Sequence, residues 1–156
     1  MNKKIWLITH GLRHMGANPV HTKEGLEQIR NLPLPQRTPL AVSGTGARFL
    51  EILEIVQEKC DVQEVKYSPF CGSVDGLEND GNVVLVDGTL VNLKNDYLSL
   101  SQPCFDAWAF VESLSDGTIL CAGGELYLAL GLDKNIKQYG GLYCIDVAGR
   151  GASLVQ

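Results

Sequence analysis

The sequence lacks features that mark several broad classes of protein. It has no cluster of basic residues: in 156 residues, 13 Lys and Arg stand against 18 Asp and Glu, for a formal net charge of −5. A nucleic-acid-binding surface needs a basic patch, so we expect no nucleic-acid partner. No apolar run approaches the roughly 20 residues that a membrane-spanning helix requires, so we expect no membrane partner either.

The cysteines form no pattern typical of a disulfide framework or a zinc site. There are 5 of them, widely spaced and without a C-x-x-C pair. His10 and His14 stand four residues apart, as zinc ligands on a helix can, but Gly11 and Gly16 disfavour a helix there. We therefore expect no metal and no cofactor. We also expect a cytoplasmic protein whose cysteines act as small apolar residues.

The composition is that of a folded α/β protein. Hydrophobic residues make up 45% of the chain and charged residues 20%, which is enough apolar material for a core. No repeat, low-complexity tract or linker divides residues 1–156, so we predict a single domain. Three short apolar segments each lead into a glycine-containing loop and then a helical pattern, which predicts a mostly parallel sheet. These segments are residues 4–8, 40–42 and 118–122.

Apolar residues at helical spacing predict four helices. Thr22 suits the N-cap of the first helix, and the strongest pattern runs from Ala47 to about Cys60. Two shorter helices are predicted over residues 105–114 and 125–130.

Two further segments indicate antiparallel strands. In residues 82–93, two apolar stretches flank Asp87 and Gly88, a pair that suits a two-residue hairpin turn. Near the end of the chain, residues 142–147 predict a strand and residues 152–155 a returning strand. We interpret residues 82–93 as an inserted β-hairpin.

The loop after the first strand carries His10, Arg13 and His14. In open α/β sheets, ligands bind where the strands end, next to helix N-termini whose N–H groups attract anions. A histidine at this position can act as a nucleophile or general base, because its pKa lies near neutrality. The alternative is that His10 only caps the following turn.

The loop after the second strand, residues 43–48, leads into the longest helix. Its glycines are similar to the start of a dinucleotide-binding fingerprint, but Phe49 occupies the third glycine position, so the fingerprint fails. The hydroxyls of Ser43 and Thr45 and the helix N-terminus still suit an anion, to which Arg48 can add a bidentate contact. Alternatively, the glycines only permit a tight turn and Arg48 forms a surface ion pair.

Together these motifs resemble the histidine phosphatase superfamily, which includes the phosphoglycerate mutase-like enzymes. The first strand ends in Thr9-His10-Gly11, where the family has Arg-His-Gly. Residues 21–28 match its Leu-Thr-x-x-Gly-x-x-Gln helix start except at the first position, His21. Residues 42–48 match its strand, Ser/Thr-rich turn and helix-opening arginine. The resemblance implies a three-layer sandwich with a mostly parallel central sheet.

The rest of the chain continues this resemblance with one clear difference. Residues 142–155 resemble the family's final hairpin. The late strand, however, leads into Gly123, where the family has a second histidine. With Thr9 in place of the first arginine, two phosphate-contacting groups are replaced. Arg13, His14 or Arg150 could substitute for them if they fold toward His10.

The resemblance also implies a mechanism and its residues. His10 would accept a phosphoryl group as nucleophile, and a carboxylic acid would protonate the leaving alcohol. Glu78 is the first candidate for that acid and Asp75 the second. The residues implied for phosphate binding are Thr9, Arg13, Ser43, Thr45 and Arg48.

Three functional hypotheses follow from these residues. If each missing group stabilises the transition state by ~3 kcal/mol, losing both costs about four powers of ten in rate. Our first hypothesis is therefore a divergent member that binds a phosphorylated or other anionic ligand with weak or no turnover. The second is an active phosphomonoesterase that uses His10. The third is a non-enzymatic interaction module that uses the 82–93 hairpin, which can pair edge to edge with another subunit, for example in a homodimer.

Overall fold

The computed structural model describes residues 3–16, 19–68, 71, 82–84, 90–92, 107–132 and 140–156. In these residues the chain forms ten strands and four helices. Their order is β1 (Lys4–Thr9), α1 (Lys23–Arg30), β2 (Arg37–Thr38), β3 (Ala41–Ser43), α2 (Ala47–Lys59), β4 (Asp61–Val62), β5 (Val65–Tyr67), β6 (Asn82–Val84), β7 (Leu90–Asn92), α3 (Ala107–Glu112), β8 (Ile119–Ala122), α4 (Gly124–Ala129), β9 (Leu142–Asp146) and β10 (Gly151–Leu154).

A mostly parallel sheet forms the centre of the fold, as predicted. It has six strands in the order β10-β9-β1-β8-β3-β5. Strands β1, β8, β3 and β5 run parallel, whereas β9 and β10 are antiparallel to their neighbours. Two small pairs lie outside this sheet: β2 with β4, parallel, and β6 with β7, antiparallel.

Helices cover both faces of the sheet and make three layers. Alternate residues of a strand face opposite sides, and accordingly Leu7 and Ile8 of β1 contribute to different core clusters. Ile29 of α1 and Ile52 of α2 pack in the cluster with Ile8. Helices α3 and α4 supply residues such as Tyr127 to the other cluster.

This topology predicts where a ligand-binding crevice would lie, at the ends of the parallel strands. Strands β1, β8 and β3 are neighbours, so their carboxyl ends lie at one edge of the sheet. The helix after β1 packs on one face and the helix after β8 on the other. Adjacent strands whose following helices diverge define the place where α/β proteins bind ligands.

The observed elements confirm most of the sequence predictions. The predicted helices all occur, with ends shifted by a few residues, and Thr22 caps α1 by accepting a hydrogen bond from the Gly25 N–H at 3.0 Å. Strands β6 and β7 confirm the two arms of the hairpin, whereas Asp87 and Gly88 lie outside the described residues. Strand β5 was missed, because three half-buried residues give no clear alternation.

Among the residues that the structure describes, no helix is long and apolar enough to cross a bilayer.

Candidate functional site

The loop that carries His10 is fixed by backbone hydrogen bonds on both sides. The Gly140 N–H donates to the His10 carbonyl at 2.8 Å. The Leu12 N–H donates to Gln28 Oε1 at 2.8 Å. The Leu12 carbonyl accepts from the Thr22 N–H at 2.9 Å and from its hydroxyl at 3.1 Å. His10 therefore sits on a rigid turn rather than on a loose loop.

Helix α1 approaches this turn so closely that two positions require glycine. A Cβ added at Gly25 would lie 1.9 Å from the Leu12 carbonyl oxygen, and one at Gly11 would lie 2.6 Å from the Gly25 carbonyl oxygen. Because these obstacles are backbone atoms, no side-chain movement can relieve them. The glycine in the Thr-x-x-Gly pattern thus positions the His10 turn.

The hydrogen bonding of His10 defines which ring nitrogen carries the proton. His10 Nδ1 lies 3.0 Å from the Gly11 carbonyl oxygen. A carbonyl only accepts, so Nδ1 donates and the neutral ring has its lone pair on Nε2. Burial lowers the pKa of His10, and the positive charges of Arg48 and Arg13 lower it further, against the opposing effect of the Gly11 carbonyl. The imidazole is therefore neutral at pH 7.

Two arginines predicted to bind phosphate lie near His10. The Arg48 guanidinium carbon lies 4.3 Å from the centre of the Phe49 ring, and that ring lies 6.4 Å from the His10 ring. Arg13 is half-buried, and its backbone forms an isolated antiparallel β-bridge with that of His21. The positive charges of both arginines lower the pKa of His10. The structure thus brings these two cations together with His10.

The N-terminus of α2 supplies a second part of the site. This helix has 13 residues and begins after Gly46, which offers no side-chain cap. Thr45 precedes it and is fully buried. The Thr45 hydroxyl has no hydrogen-bond partner among the described residues. A buried hydroxyl without a partner is costly, so this group is suited to meet a ligand oxygen.

Two predicted phosphate ligands use their hydroxyls within the fold. The Thr9 hydroxyl accepts from the Gly141 N–H at 3.0 Å and so ties the end of β1 to the residue that precedes β9. The Ser43 hydroxyl donates to the Gly44 carbonyl at 2.7 Å. Both side chains are buried. Their roles in phosphate binding stay predictions, and their observed contacts stabilise the strand ends.

Gly123 lies between the two halves of the site and offers no side chain to a ligand. Arg150, one of the residues expected to substitute for the missing groups, lies elsewhere. Strand β8 lies between β1 and β3, so Gly123 lies between the His10 turn and the α2 N-terminus. Arg150 follows β9, which runs antiparallel to β1, and it pairs with Glu112 at 3.1 Å. It therefore lies at the opposite end of the sheet, about 20 Å away for six strand residues. Of the other two candidates, Arg13 acts on His10 and His14 is exposed.

Sequence reasoning missed His21 and Glu51. The Gly11 N–H donates to His21 Nε2 at 2.9 Å, and Glu51 Oε1 lies 3.1 Å from His21 Nδ1. The His21 side chain is fully buried. The signal was the mismatch at position 21 in the helix-start pattern, but Glu51 lies thirty residues further along and gave no sign of the pairing.

The candidate general acids Glu78 and Asp75 lie outside the described residues. In the part of the chain that the structure describes, no group of three or more His, Cys, Asp and Glu is arranged to hold a metal ion. Cys121 is fully buried in the core, and burial raises the pKa of its thiol well above the usual value. It is therefore a neutral core residue and not a nucleophile.

The sheet and its helices form a three-layer α/β protein, and a neutral histidine and two arginines lie where the parallel strands end. No model of a protein family matches the sequence, and no curated protein matches it. Solved structures do match this chain, and the similarity to known proteins therefore rests on them.

Three of these structures show the fold. One, provisionally assigned as the phosphohistidine phosphatase SixA of Agrobacterium tumefaciens, is 14% identical, with a TM-score of 0.55 over 100% of this chain and 97% of that one. A phosphoglycerate mutase from Thermus thermophilus is 17% identical, with a TM-score of 0.53 and 92% coverage of both chains. A second SixA assignment, from Nakamurella multipartitia, is 14% identical, with a TM-score of 0.51 over 100% and 95%. The chain has a phosphoglycerate mutase-like fold, as the motifs predicted.

Proposed function

We propose that this protein is a divergent histidine phosphatase-like protein that binds a phosphorylated or other anionic ligand. The ligand would lie between the His10 turn and the N-terminus of α2, in contact with Arg48, Arg13 and Thr45. The observation that carries this proposal is the buried, unbonded Thr45 hydroxyl beside a helix N-terminus. Helix N–H groups, a hydroxyl and two guanidinium groups together match the oxygens of a phosphate.

Weak or absent turnover is part of the same proposal. Gly123 leaves one side of the ligand without a side-chain donor, and the Thr9 hydroxyl already bonds to Gly141. Each missing donor is worth ~3 kcal/mol in the transition state. The names of the structural neighbours, a phosphohistidine phosphatase and a phosphoglycerate mutase, support a phosphorylated ligand.

Inorganic phosphate should raise the melting temperature of the protein. The variant Thr45→Val should be more stable than the wild type but should bind phosphate more weakly. At ten times the Kd, ligand linkage adds about 1.4 kcal/mol, or roughly 4 °C for a domain of this size. Valine removes an unbonded buried hydroxyl, so it should stabilise the free protein by ~1 kcal/mol while weakening phosphate binding about fivefold.

Thr38→Val is the matched control for this experiment. The Thr38 hydroxyl is buried but shares its single proton between the carbonyls of Leu40, at 2.9 Å, and Gly117, at 2.7 Å. Its removal should destabilise the protein and leave phosphate affinity unchanged. Equal effects of the two valine variants on phosphate affinity would refute the assignment of Thr45.

An active phosphomonoesterase is the second candidate function. It is favoured by the tautomer of His10, because the Nδ1–H bond to the Gly11 carbonyl places the lone pair on Nε2. A neutral imidazole with that lone pair can attack phosphorus, and Arg48 and Arg13 can stabilise the charge that develops on the phosphoryl oxygens. In this case Glu78 remains the first candidate to protonate the leaving alcohol.

If His10 is a nucleophile, a labelled phosphoryl donor should leave an acid-labile, base-stable adduct on the protein. His10→Ala should abolish the adduct, and His14→Ala, which alters an exposed histidine in the same loop, should leave it intact. A denaturing quench at alkaline pH, followed by gel separation and label counting, measures this. If a panel of acyl phosphates and phosphoamidates gives no adduct, the phosphomonoesterase function is rejected, and the proposal of a ligand-binding protein without turnover remains.

The remaining predictions concern the setting of this activity. We propose a cytoplasmic protein with no nucleic-acid or membrane partner and no cofactor, on the basis of its charge and cysteine pattern. Pairing of the hairpin arms β6 and β7 with a second copy is retained as the basis of a homodimer.

A further inference from the structure

A buried histidine that the proposed function does not use lies beside the His10 turn. The rings of His21 and His10 are 6.5 Å apart, centre to centre. The His21 side chain is fully buried, and both of its ring nitrogens have partners within the fold. Its Nε2 accepts the Gly11 N–H at 2.9 Å, and Gly11 is the residue whose carbonyl accepts from His10 Nδ1. His21 is thus linked to the His10 ring through a single residue.

Glu51 fixes His21 from the other side. One carboxylate oxygen, Oε1, accepts from the His21 backbone N–H at 2.8 Å and lies 3.1 Å from its Nδ1. Because Nε2 accepts from Gly11, Nδ1 carries the proton and donates to Glu51. Glu51 lies on α2, one turn after Arg48. The chain of contacts from Glu51 to Gly11 therefore joins the two halves of the anion site.

We propose that His21 is a positioning residue, whose Nε2 holds the Gly11 amide and so keeps the His10 imidazole in place beside the start of α2. This inference rests on the proposed anion site and adds that the protonation state of His21 regulates the affinity of that site. The contact with Gly11 exists only while the His21 ring is neutral. A protonated Nε2–H would face the Gly11 N–H, and two donors cannot bond to each other.

The charges around His21 determine the pH at which this contact fails. Burial lowers the pKa of His21, the hydrogen bond and charge of Glu51 raise it, and Arg48 lowers it again, with a net result below the usual 6.5. The other facing groups are His10 and Arg13, whose backbone pairs with that of His21. The His21 ring is therefore neutral at pH 7, and the contact is lost as the pH falls below the ordinary histidine range.

The test compares sulfate binding by the wild type and by His21→Gln, in the full chain. Sulfate keeps its charge between about pH 5 and pH 8, so its own titration does not interfere. The glutamine Oε1 can accept from the Gly11 N–H at any pH in this range. Titration of His10 occurs in both proteins, and only in the wild type does a charged His21 lower the pKa of His10. This difference leaves His10 less charged in the wild type at low pH and so acts on sulfate affinity in the same direction as the lost contact. We expect similar affinities above pH 7 and about fivefold weaker binding by the wild type at low pH, the effect of one lost hydrogen bond.

Two further measurements separate positioning from a general effect on folding. The Gly11 amide resonance in a ¹H–¹⁵N spectrum should titrate with His21 in the wild type and lose that component in His21→Gln. Glu51→Gln keeps an acceptor oxygen but removes the charge that raises the pKa of His21. In that variant the weakening of sulfate binding should therefore shift to lower pH.

Each outcome decides between the two claims. Identical pH profiles for the wild type and His21→Gln would overturn the positioning role while leaving the anion site intact. Absence of sulfate binding by both proteins at neutral pH would overturn the proposed function and this inference with it. A Gly11 amide that does not respond to His21 protonation would overturn the proposed contact, whatever the affinity.

Discussion

Replacing Arg48 with methionine should weaken phosphate binding by about 10- to 100-fold, the equivalent of ~1.5–3 kcal/mol for charge-assisted hydrogen bonds. Arg48 lies in the first turn of α2, where the helix dipole already attracts an anion, so the guanidinium and the helix act on the same ligand. Methionine keeps the apolar contact with Phe49 and removes only the charge and the donors. Isothermal titration with inorganic phosphate measures the change.

Arg150→Met provides the matched control for Arg48→Met. Both variants lower the net charge of the protein by one unit. Arg150, however, lies at the opposite end of the sheet, where it pairs with Glu112. Its ion pair is largely exposed, so we expect little loss of stability. Its phosphate affinity should stay within about twofold of the wild type. Equal weakening by both variants would show a nonspecific charge effect and contradict the assigned site.

Gly25→Ala should lower the melting temperature by roughly 10 °C, which corresponds to ~3 kcal/mol or more. Alanine favours a helix over glycine by ~1 kcal/mol, but the added Cβ would lie 1.9 Å from the Leu12 carbonyl oxygen. The steric term therefore outweighs the helix propensity. Since Leu12 belongs to the turn that carries His10, phosphate-induced stabilisation should decline as well. Thermal unfolding with and without phosphate measures both effects.

Gly151→Ala is the comparison for Gly25→Ala. A Cβ at Gly151 would meet no atom within 4 Å. Its free energy of unfolding should therefore stay within ~0.5 kcal/mol of the wild-type value, and its melting temperature should change little. A stability loss for Gly25→Ala as small as that for Gly151→Ala would show that α1 and the His10 turn can separate at little cost, which would contradict the rigid turn described above.

The central sheet could be predicted because its strands are short apolar runs that lead into glycine loops. Ile5, Leu7 and Ile8 of the first strand and residues 118–122 are buried, with side chains in both core clusters, and this produces the nearly continuous apolar run typical of parallel strands. Strand β5 lies at the edge of the sheet with three half-buried residues, so it has neither a continuous apolar run nor an alternating one.

The candidate site was predictable where it depends on local sequence and not where it depends on distant pairing. His10, Thr45 and Arg48 follow strand ends, and parallel topology alone brings strand ends together. The expectation for Arg150 was wrong, because nothing in its own segment indicates that β9 runs antiparallel to β1. The pairing of His21 with Glu51 arises from the packing of α2 against the start of α1, a contact between segments about thirty residues apart.

The direct measurement of an anion site between the His10 turn and α2 is a ¹H–¹⁵N titration with inorganic phosphate. We expect the largest saturable shifts in the amides of residues 45–48 at the start of α2 and in those of His10 and Gly11. Shifts confined to the far edge of the sheet, near Arg150, or no saturable shifts at millimolar phosphate, would contradict the proposed function.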